Sequence, residues 1–288
     1  MRHCLSAFAL SLAVAVTPSD AQAEETPLDS RIAPETLRVF SIEEFEHDGF
    51  MLPYRIAAPM EVTDGKTYPM LLFLHGKGER GTENQRQLIH GGNLFASEAF
   101  RKRYGCYVVA PQCPDGKEPG FASTDPKDPP GTEADRLWCW PTALGEIATL
   151  DFDSSPTKQL AAVQALVDQL SKDLPIDKAR IYISGLSMGG FATWELTTRD
   201  PDLYAAAIPI CGKGAPAKMG RLKDLPLWVV HGELDSVVPA DRSRELVTAI
   251  REAGGKPIYT ELEGVGHDSW TAPLTSRLPW DWLFTQSR

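Results

Sequence analysis

Ser187 sits in Ile181-Tyr182-Ile183-Ser184-Gly185-Leu186-Ser187-Met188-Gly189-Gly190. A β-branched and aromatic run leads into Gly-x-Ser-x-Gly, and a helix-like stretch, Phe191 to Leu196, follows. This is the pattern of a nucleophile held on a sharp strand-to-helix turn. Gly185 and Gly189 belong there because a Cβ at either place would meet the neighbouring strand or helix. Such a turn lifts the Ser187 hydroxyl out of the sheet. It also sets the Met188 N–H at a helix N-terminus, where it can stabilise a developing negative charge. The chemistry is nucleophilic attack on a carbonyl carbon.

A serine hydroxyl becomes a useful nucleophile only when a base takes its proton, and the base needs a carboxylate to orient it. In nucleophiles of this kind the chain order is Ser, then Asp or Glu, then His. The chain has six histidines, His3, His47, His75, His90, His231 and His267, and only the last two follow Ser187. His267 lies in a glycine-flanked loop after the strand-like Pro257 to Leu262 and is the expected base. His231 ends the apolar run Leu227 to Val230 and is expected to cap a buried strand end. The loop after that strand carries Glu233 and Asp235. Asp235 is chosen as the orienting carboxylate, with Glu233 its rival. Asp241 is assigned to the start of the next helix, Arg242 to Ala253, which Gly254 and Gly255 terminate. Asp268 adjoins His267, but neighbouring side chains on an extended loop diverge.

A second oxyanion donor should follow an earlier strand. Pro69 to Leu74 is continuously apolar, as a strand buried on both faces requires. It ends in His75-Gly76-Lys77-Gly78-Glu79-Arg80-Gly81, whose glycines let the backbone approach a ligand. The Lys77 N–H is the expected donor and Gly78 the second choice. His90-Gly91-Gly92-Asn93 lacks a preceding strand and reads as a loop near the site at most.

The elements that must position these groups alternate. Leu37 to Phe45 and Phe50 to Ala57 read as a β-pair around His47-Asp48-Gly49. Glu79 to Arg103 reads as polar loop then helix, and Cys106 to Ala110 as a strand. Ser155 to Asp173 is a helix capped by Thr157 or Ser155, with Leu160, Val163, Leu166, Val167 and Leu170 on one stripe. Strands at Ala205 to Ile210, Leu227 and Ile258 and a closing helix near Trp280 to Thr285 complete the pattern. Alternation of this kind implies a doubly wound, mostly parallel sheet with its chemistry at the strand C-termini. Gln112 to Ser154 is a long irregular excursion, rich in Pro, Gly and Asp, expected to wall the site. Trp138, Trp140 and Trp270 are candidates to line the pocket. Trp194, in the helix behind the serine, is expected in the core.

Residues 1–23 read as an export signal. Leu5 to Val16 is too short to span a bilayer, and Ala21-Gln22-Ala23 suits cleavage after Ala23. Residues 24–36 then form a mobile lead-in to one domain, 37–288, a length that suits a large α/β domain. The formal net charge of −10 argues against nucleic acid or an anionic membrane as a standing partner. No membrane insertion is expected, and oligomeric state is not legible. Without Cys4, four of the five cysteines remain. Cys106 and Cys211 follow or open apolar strands and read as buried thiols. Cys113 and Cys139 bracket the excursion, where a disulfide would help most, and a bridge between them is expected. The cysteines lack zinc-site spacing, so no metal and no cofactor are expected.

With these residues in view, the chain resembles exported α/β-hydrolase serine esterases of the dienelactone-hydrolase and poly(3-hydroxybutyrate)-depolymerase-like branch. The matching text is Leu74 through Gly81, Ala110-Pro111-Gln112-Cys113-Pro114, Arg180 through Gly190, Pro209-Ile210-Cys211-Gly212, His231 through Asp235 and Val265 through Trp270. It covers most of residues 37–285. The resemblance implies the α/β-hydrolase fold, a Ser-Asp-His triad and a small-molecule or polymeric ester substrate. Dienelactone hydrolases proper use a cysteine nucleophile; Ser187 implies serine chemistry here. A serine peptidase of the same fold is the alternative reading, and a non-catalytic binding protein on the same scaffold is a third.

Overall fold

The strands form because their residues are buried on both faces. In β3 (Tyr68–Leu74), Met70, Leu72 and Leu74 face one core, while Leu71 and Phe73 face the other. That is the continuous apolar signature of a central strand covered by helices on both sides. The computed structural model describes residues 25–114 and 155–288. Within them eight strands make one sheet in the order β1-β2-β4-β3-β5-β6-β7-β8.

At one edge, β1 (Ser41–His47) and β2 (Phe50–Ala57) form an antiparallel hairpin. Its two turn residues, Asp48 and Gly49, have φ of 49° and 75°, the left-handed pair that matches the twist of a two-residue hairpin. β2 also runs antiparallel to β4 (Tyr107–Pro111). From β4 onward every neighbour is parallel: β3, β5 (Ile176–Leu186), β6 (Ala206–Ile210), β7 (Trp228–Gly232) and β8 (Ile258–Leu262). This is the α/β-hydrolase fold, the doubly wound sheet that the alternation of elements predicts.

Before β1 the sequence reading needs correcting. Residues 37–40 do not extend the first strand, because α1 (Pro34–Val39) and its C-cap Phe40 occupy them. Pro34 opens that helix with a preset φ, Glu35 lies in its first turn and Arg38 in its last, all favourable helix-end choices. Residues 25–36, most of the expected 24–36 lead-in, make packed and hydrogen-bonded contacts with the domain. Ile32 is buried, the Leu28 N–H donates to Gln85, and Glu25 pairs with the wholly buried Arg55. A buried guanidinium requires such a counter-charge.

Between β3 and β4 run two short helices, α2 (Gly92–Ala96) and α3 (Glu98–Tyr104). α4 (Lys158–Asp173) precedes β5; Thr157 Oγ1 accepts from the Leu160 N–H at 3.2 Å and so caps it. Its apolar stripe is buried as expected, at about 2 kcal/mol for each side chain removed from water. α5 (Met188–Arg199) follows β5, α6 (Asp241–Glu252) follows β7, and α7 (Thr271–Thr275) and α8 (Leu278–Leu283) close the chain. α4, α5 and α6 cover one face of the sheet; α1, α2, α3 and α8 cover the other.

Among the described residues no helix is long and apolar enough to cross a membrane. Residues 1–24 and 115–154 lie outside the described ones. The export signal, most of the 112–154 excursion, Trp138, Trp140 and Cys139 fall there, and with Cys139 the proposed bridge. Cys113 is buried, and Cys106 and Cys211 are buried free thiols.

Candidate active site

Ser187 has φ 52° and ψ −118° between β5 and α5, a strained conformation for a residue with a Cβ. Tight packing imposes it. A Cβ on Gly185 would collide with the Gly189 carbonyl, and one on Gly189 with the Leu74 carbonyl of β3. Backbone on backbone cannot give way, so only glycine fits at either place. The Ser187 N–H is anchored to the Ile210 carbonyl of β6 at 3.0 Å.

His267 arrives on the loop after β8. Its Nε2 lies 2.9 Å from Ser187 Oγ and its Nδ1 2.8 Å from Asp235 Oδ2. An ionised carboxylate only accepts hydrogen bonds, so Nδ1 carries the proton and Nε2 is left to accept from the serine hydroxyl. Asp235 lies in the loop after β7, its side chain wholly buried. Its Oδ1 accepts the Val237 and Val238 N–H groups at 2.9 and 2.8 Å. The expected Ser187, His267 and Asp235 are thus brought together in one line. Glu233 is not: it is exposed, and its Oε2 accepts the Gly264 N–H. Asp268 is exposed as well, and Asp241 pairs with Arg244.

Lys77 opens a 3-10 turn, Lys77–Glu79, after β3. Met188 opens α5. Neither N–H has a carbonyl one turn back to bond to, and both residues line the cleft over Ser187. Gln112 braces the Lys77 loop. Its Nε2 donates to the Glu79 carbonyl at 3.0 Å, and its Oε1 accepts the Asn84 N–H. The Gly81 N–H reaches the Cys113 carbonyl. The Asn93 side chain bonds to Ala33, Thr36 and Arg31, so it serves the N-terminal segment.

Two histidines flank the line and are held neutral by burial. His75 Nδ1–H donates to the Gly76 carbonyl and its Nε2 accepts the Cys113 N–H. Burial pushes its pKa down to about 4. His231 sits between Ser243 Oγ and the Val238 carbonyl, with Asp235 Oδ2 3.3 Å from its Nε2, and burial lowers its pKa despite that carboxylate. Unfolding lets both take up protons. Stability from His75 is therefore complete above its ordinary value of 6.5 and is lost as pH falls from 6.5 toward 4. Moving from about pH 7 to about pH 5 should cost about 2 kcal/mol through His75, with His231 acting in the same direction. Urea unfolding midpoints at the two pH values check this. An acid loss of the same size in a His75→Gln variant would remove His75 as its cause.

Around Ser187 the described residues line a cleft of about 500 Å³, large enough for a small ligand or one end of a polymer. Trp270 is among the lining residues, edge-on to the His267 ring at 5.3 Å between centroids. Trp194 is fully buried in the core, also as expected. The cleft also holds charges that the sequence reading missed: a Glu79–His90 pair at 3.4 Å, Lys213 and Arg242. One signal was available for Lys213, its place just past a strand on the edge where Ser187 and Asp235 emerge.

Among the described residues, one group of three, Cys211, Asp235 and His267, brings metal-ligating atoms within 4.8 Å of one another. Burial pushes the Cys211 thiol up to about 12. Asp235 and His267 already engage each other.

The phospholipase/carboxylesterase family model matches residues 123–277. A cutinase of Thermobifida fusca is 29% identical over 75% of this chain and 70% of its own length. A bifunctional acetylxylan esterase/xylanase of Neocallimastix patriciarum is 32% identical over 30% of this chain, which spans only 13% of that protein. The crystal structure of a thermostable esterase superposes with a TM-score of 0.72 at 37% identity, covering 88% of this chain and 64% of that one.

Proposed function

Since this chain belongs to the phospholipase/carboxylesterase family, we propose that it is a serine-dependent carboxylic ester hydrolase that works through an acyl-enzyme. The observation that carries the reading is the unbroken hydrogen-bond line from Ser187 through His267 to Asp235 at the cleft.

His267 Nε2 takes the Ser187 proton as Oγ attacks the ester carbonyl carbon. The carbonyl π electrons move to oxygen, and the Met188 and Lys77 N–H groups hold the resulting oxyanion. One well-placed donor of this kind lowers the barrier by about 3 kcal/mol. Asp235 keeps the imidazole in the productive tautomer and stabilises the imidazolium. His267 then returns the proton to the leaving alkoxide as the C–O bond breaks. Water, deprotonated by His267, repeats the attack and releases the acid with Ser187 restored. The residues in these roles need no metal or cofactor. The substrate is a small or polymeric carboxylic ester.

Ester and amide substrates separate this reading from a peptidase on the same fold. Acetyl, butyryl and feruloyl esters should be turned over with kcat/KM at least about a hundredfold above aminoacyl amides of matched size. Faster turnover of the amides would overturn the assignment in favour of the peptidase.

A further inference from the structure

Behind the Lys77 turn the protein buries polar side chains where apolar ones could pack. Arg55, Asn84, Gln85 and Gln112 are each at most 6% exposed. Buried polar groups persist when they are hydrogen-bonded, and these are. Glu25 Oε1 accepts from Arg55 Nη2 and from Gln85 Nε2. Arg55 Nε donates to the Asn84 carbonyl, and its Nη1 to the Phe40 carbonyl at 3.1 Å. The Asn84 N–H donates to Gln112 Oε1 at 2.6 Å, and Gln112 Nε2 donates to the Glu79 carbonyl at 3.0 Å. Glu79 is the last residue of the Lys77–Glu79 turn. A continuous line therefore runs from residue 25 to the turn that carries the Lys77 N–H.

The turn depends on that support. Its own closing bond, from the Glu79 N–H to the Gly76 carbonyl, is long at 3.3 Å. Asn84 has φ 56°, a left-handed conformation that a residue with a Cβ keeps only where its surroundings impose it. Its side chain is tied to the Glu43 and Tyr54 carbonyls, at 3.1 Å each, so its backbone stands as a fixed post between Arg55 and Gln112. At the far end of the line, the Arg55 side chain is wholly buried and Glu25 is the carboxylate paired with it. Taking away one partner of a buried ion pair leaves the other charge uncompensated. The guanidinium would then move toward another acceptor, and its hold on the Asn84 carbonyl would loosen. An oxyanion donor works only when it is placed before the charge develops, so a loosened turn costs catalysis.

We propose that Glu25 and Arg55 are positioning residues: through Asn84 and Gln112 they fix the Lys77 N–H where the oxyanion forms. This rests on the ester-hydrolase reading and on the role of Lys77 within it. Neither Glu25, Arg55, Asn84 nor Gln112 lines the cleft, so changing them leaves the ground-state contacts of a substrate in place. The oxyanion contact is made in the transition state. Its loss lowers kcat and kcat/KM together and spares KM.

The test is a double-mutant cycle on the full chain, with para-nitrophenyl acetate as substrate and each variant assayed well below its melting transition. Glu25→Ala should lower kcat by about tenfold with KM within about twofold of wild type. Its affinity for trifluoroacetone, which forms a tetrahedral oxyanion on a serine, should fall by a similar factor. Gln112→Met keeps the volume without the hydrogen bonds and should lower kcat by about a hundredfold, the loss expected when an oxyanion donor is misplaced. Glu25→Ala added to Gln112→Met should change little more, because the line is already cut. A tie that served the fold alone would lower the melting temperature and leave kcat as it was. Full kcat and full trifluoroacetone affinity in folded Glu25→Ala, or losses that multiply in the double variant, would overturn the proposal while leaving ester hydrolysis intact. Where Gln112→Met does not fold, Glu25→Ala decides the matter by the same two readings. Wild-type protein that turns over no ester and takes no fluorophosphonate label would count instead against the hydrolase reading itself.

Discussion

Ser187→Ala should lower kcat/KM for every ester by roughly four to six orders of magnitude. The substitution removes the only atom able to form the acyl-enzyme and leaves the oxyanion donors in place. What turnover persists should come from those donors and from substrate binding. The fold should be unchanged. Ser187 Oγ makes its hydrogen bond to His267, whereas the turn itself is held by the Ser187 N–H to Ile210 and by the glycine contacts around it. Alanine carries the same Cβ into the same φ of 52°, so the thermal transition should stay within a few degrees of wild type. A fluorophosphonate should label Ser187 in wild type and nothing in the variant. The two serines nearest in sequence motif are poor rivals: Ser184 is buried and donates to the Ile208 carbonyl, and Ser269 is fully buried. Label found on either of them in the variant, with turnover retained, would reassign the nucleophile.

The parts of this site that were legible in the sequence are those governed by local constraint. Gly185 and Gly189 mark the turn because their contacts are backbone to backbone, which no other residue can satisfy. The strand at Met70–Leu74 reads as a strand because both its faces are buried. His267 and Asp235 followed from chain order, and each lies just past a strand, where parallel sheets gather their loops. α1 was misread because Leu37 and Phe40 suit a strand or a helix equally; the deciding signal was Pro34, a residue favoured in a first helical turn. The grouping of charges around the cleft was illegible for a different reason. Lys213 and Arg242 lie on separate elements, and nothing in their local sequence pairs them. Glu79 and His90 are likewise joined only once the Lys77–Glu79 turn and the loop before α2 meet at the same cleft. Pairings of this kind depend on the relative placement of elements, which periodicity and propensity do not encode.

Asp235→Asn should lower kcat by about 10⁴-fold, while Glu233→Gln should stay within about twofold of wild type, as surface changes usually do. The reason lies in how the loop after β7 holds the carboxylate. Oδ1 of Asp235 faces two donors, the Val237 and Val238 N–H groups. An asparagine is better placed with its carbonyl oxygen there, because the reverse would point its NH2 at two close donors, whereas the other position meets only the longer His231 Nε2 contact of 3.3 Å. That orientation turns the NH2 toward His267 Nδ1. Nδ1 must then accept, so the imidazole proton moves to Nε2, where it cannot receive the Ser187 proton. The loss is thus one of tautomer and of imidazolium stabilisation, and it should appear in kcat with little change in KM. His231 does not rescue it: its Nε2–H is held by the Val238 carbonyl at 2.8 Å and faces the same Asp235 oxygen, Oδ2, at 3.3 Å, so it cannot take over from His267. Glu233 is exposed and meets Gly264 through one oxygen, a contact that a glutamine carbonyl can keep. Steady-state kinetics on one neutral aryl ester for both variants decides between the carboxylates: losses of equal size, or a larger loss at Glu233, would transfer the orienting role away from Asp235.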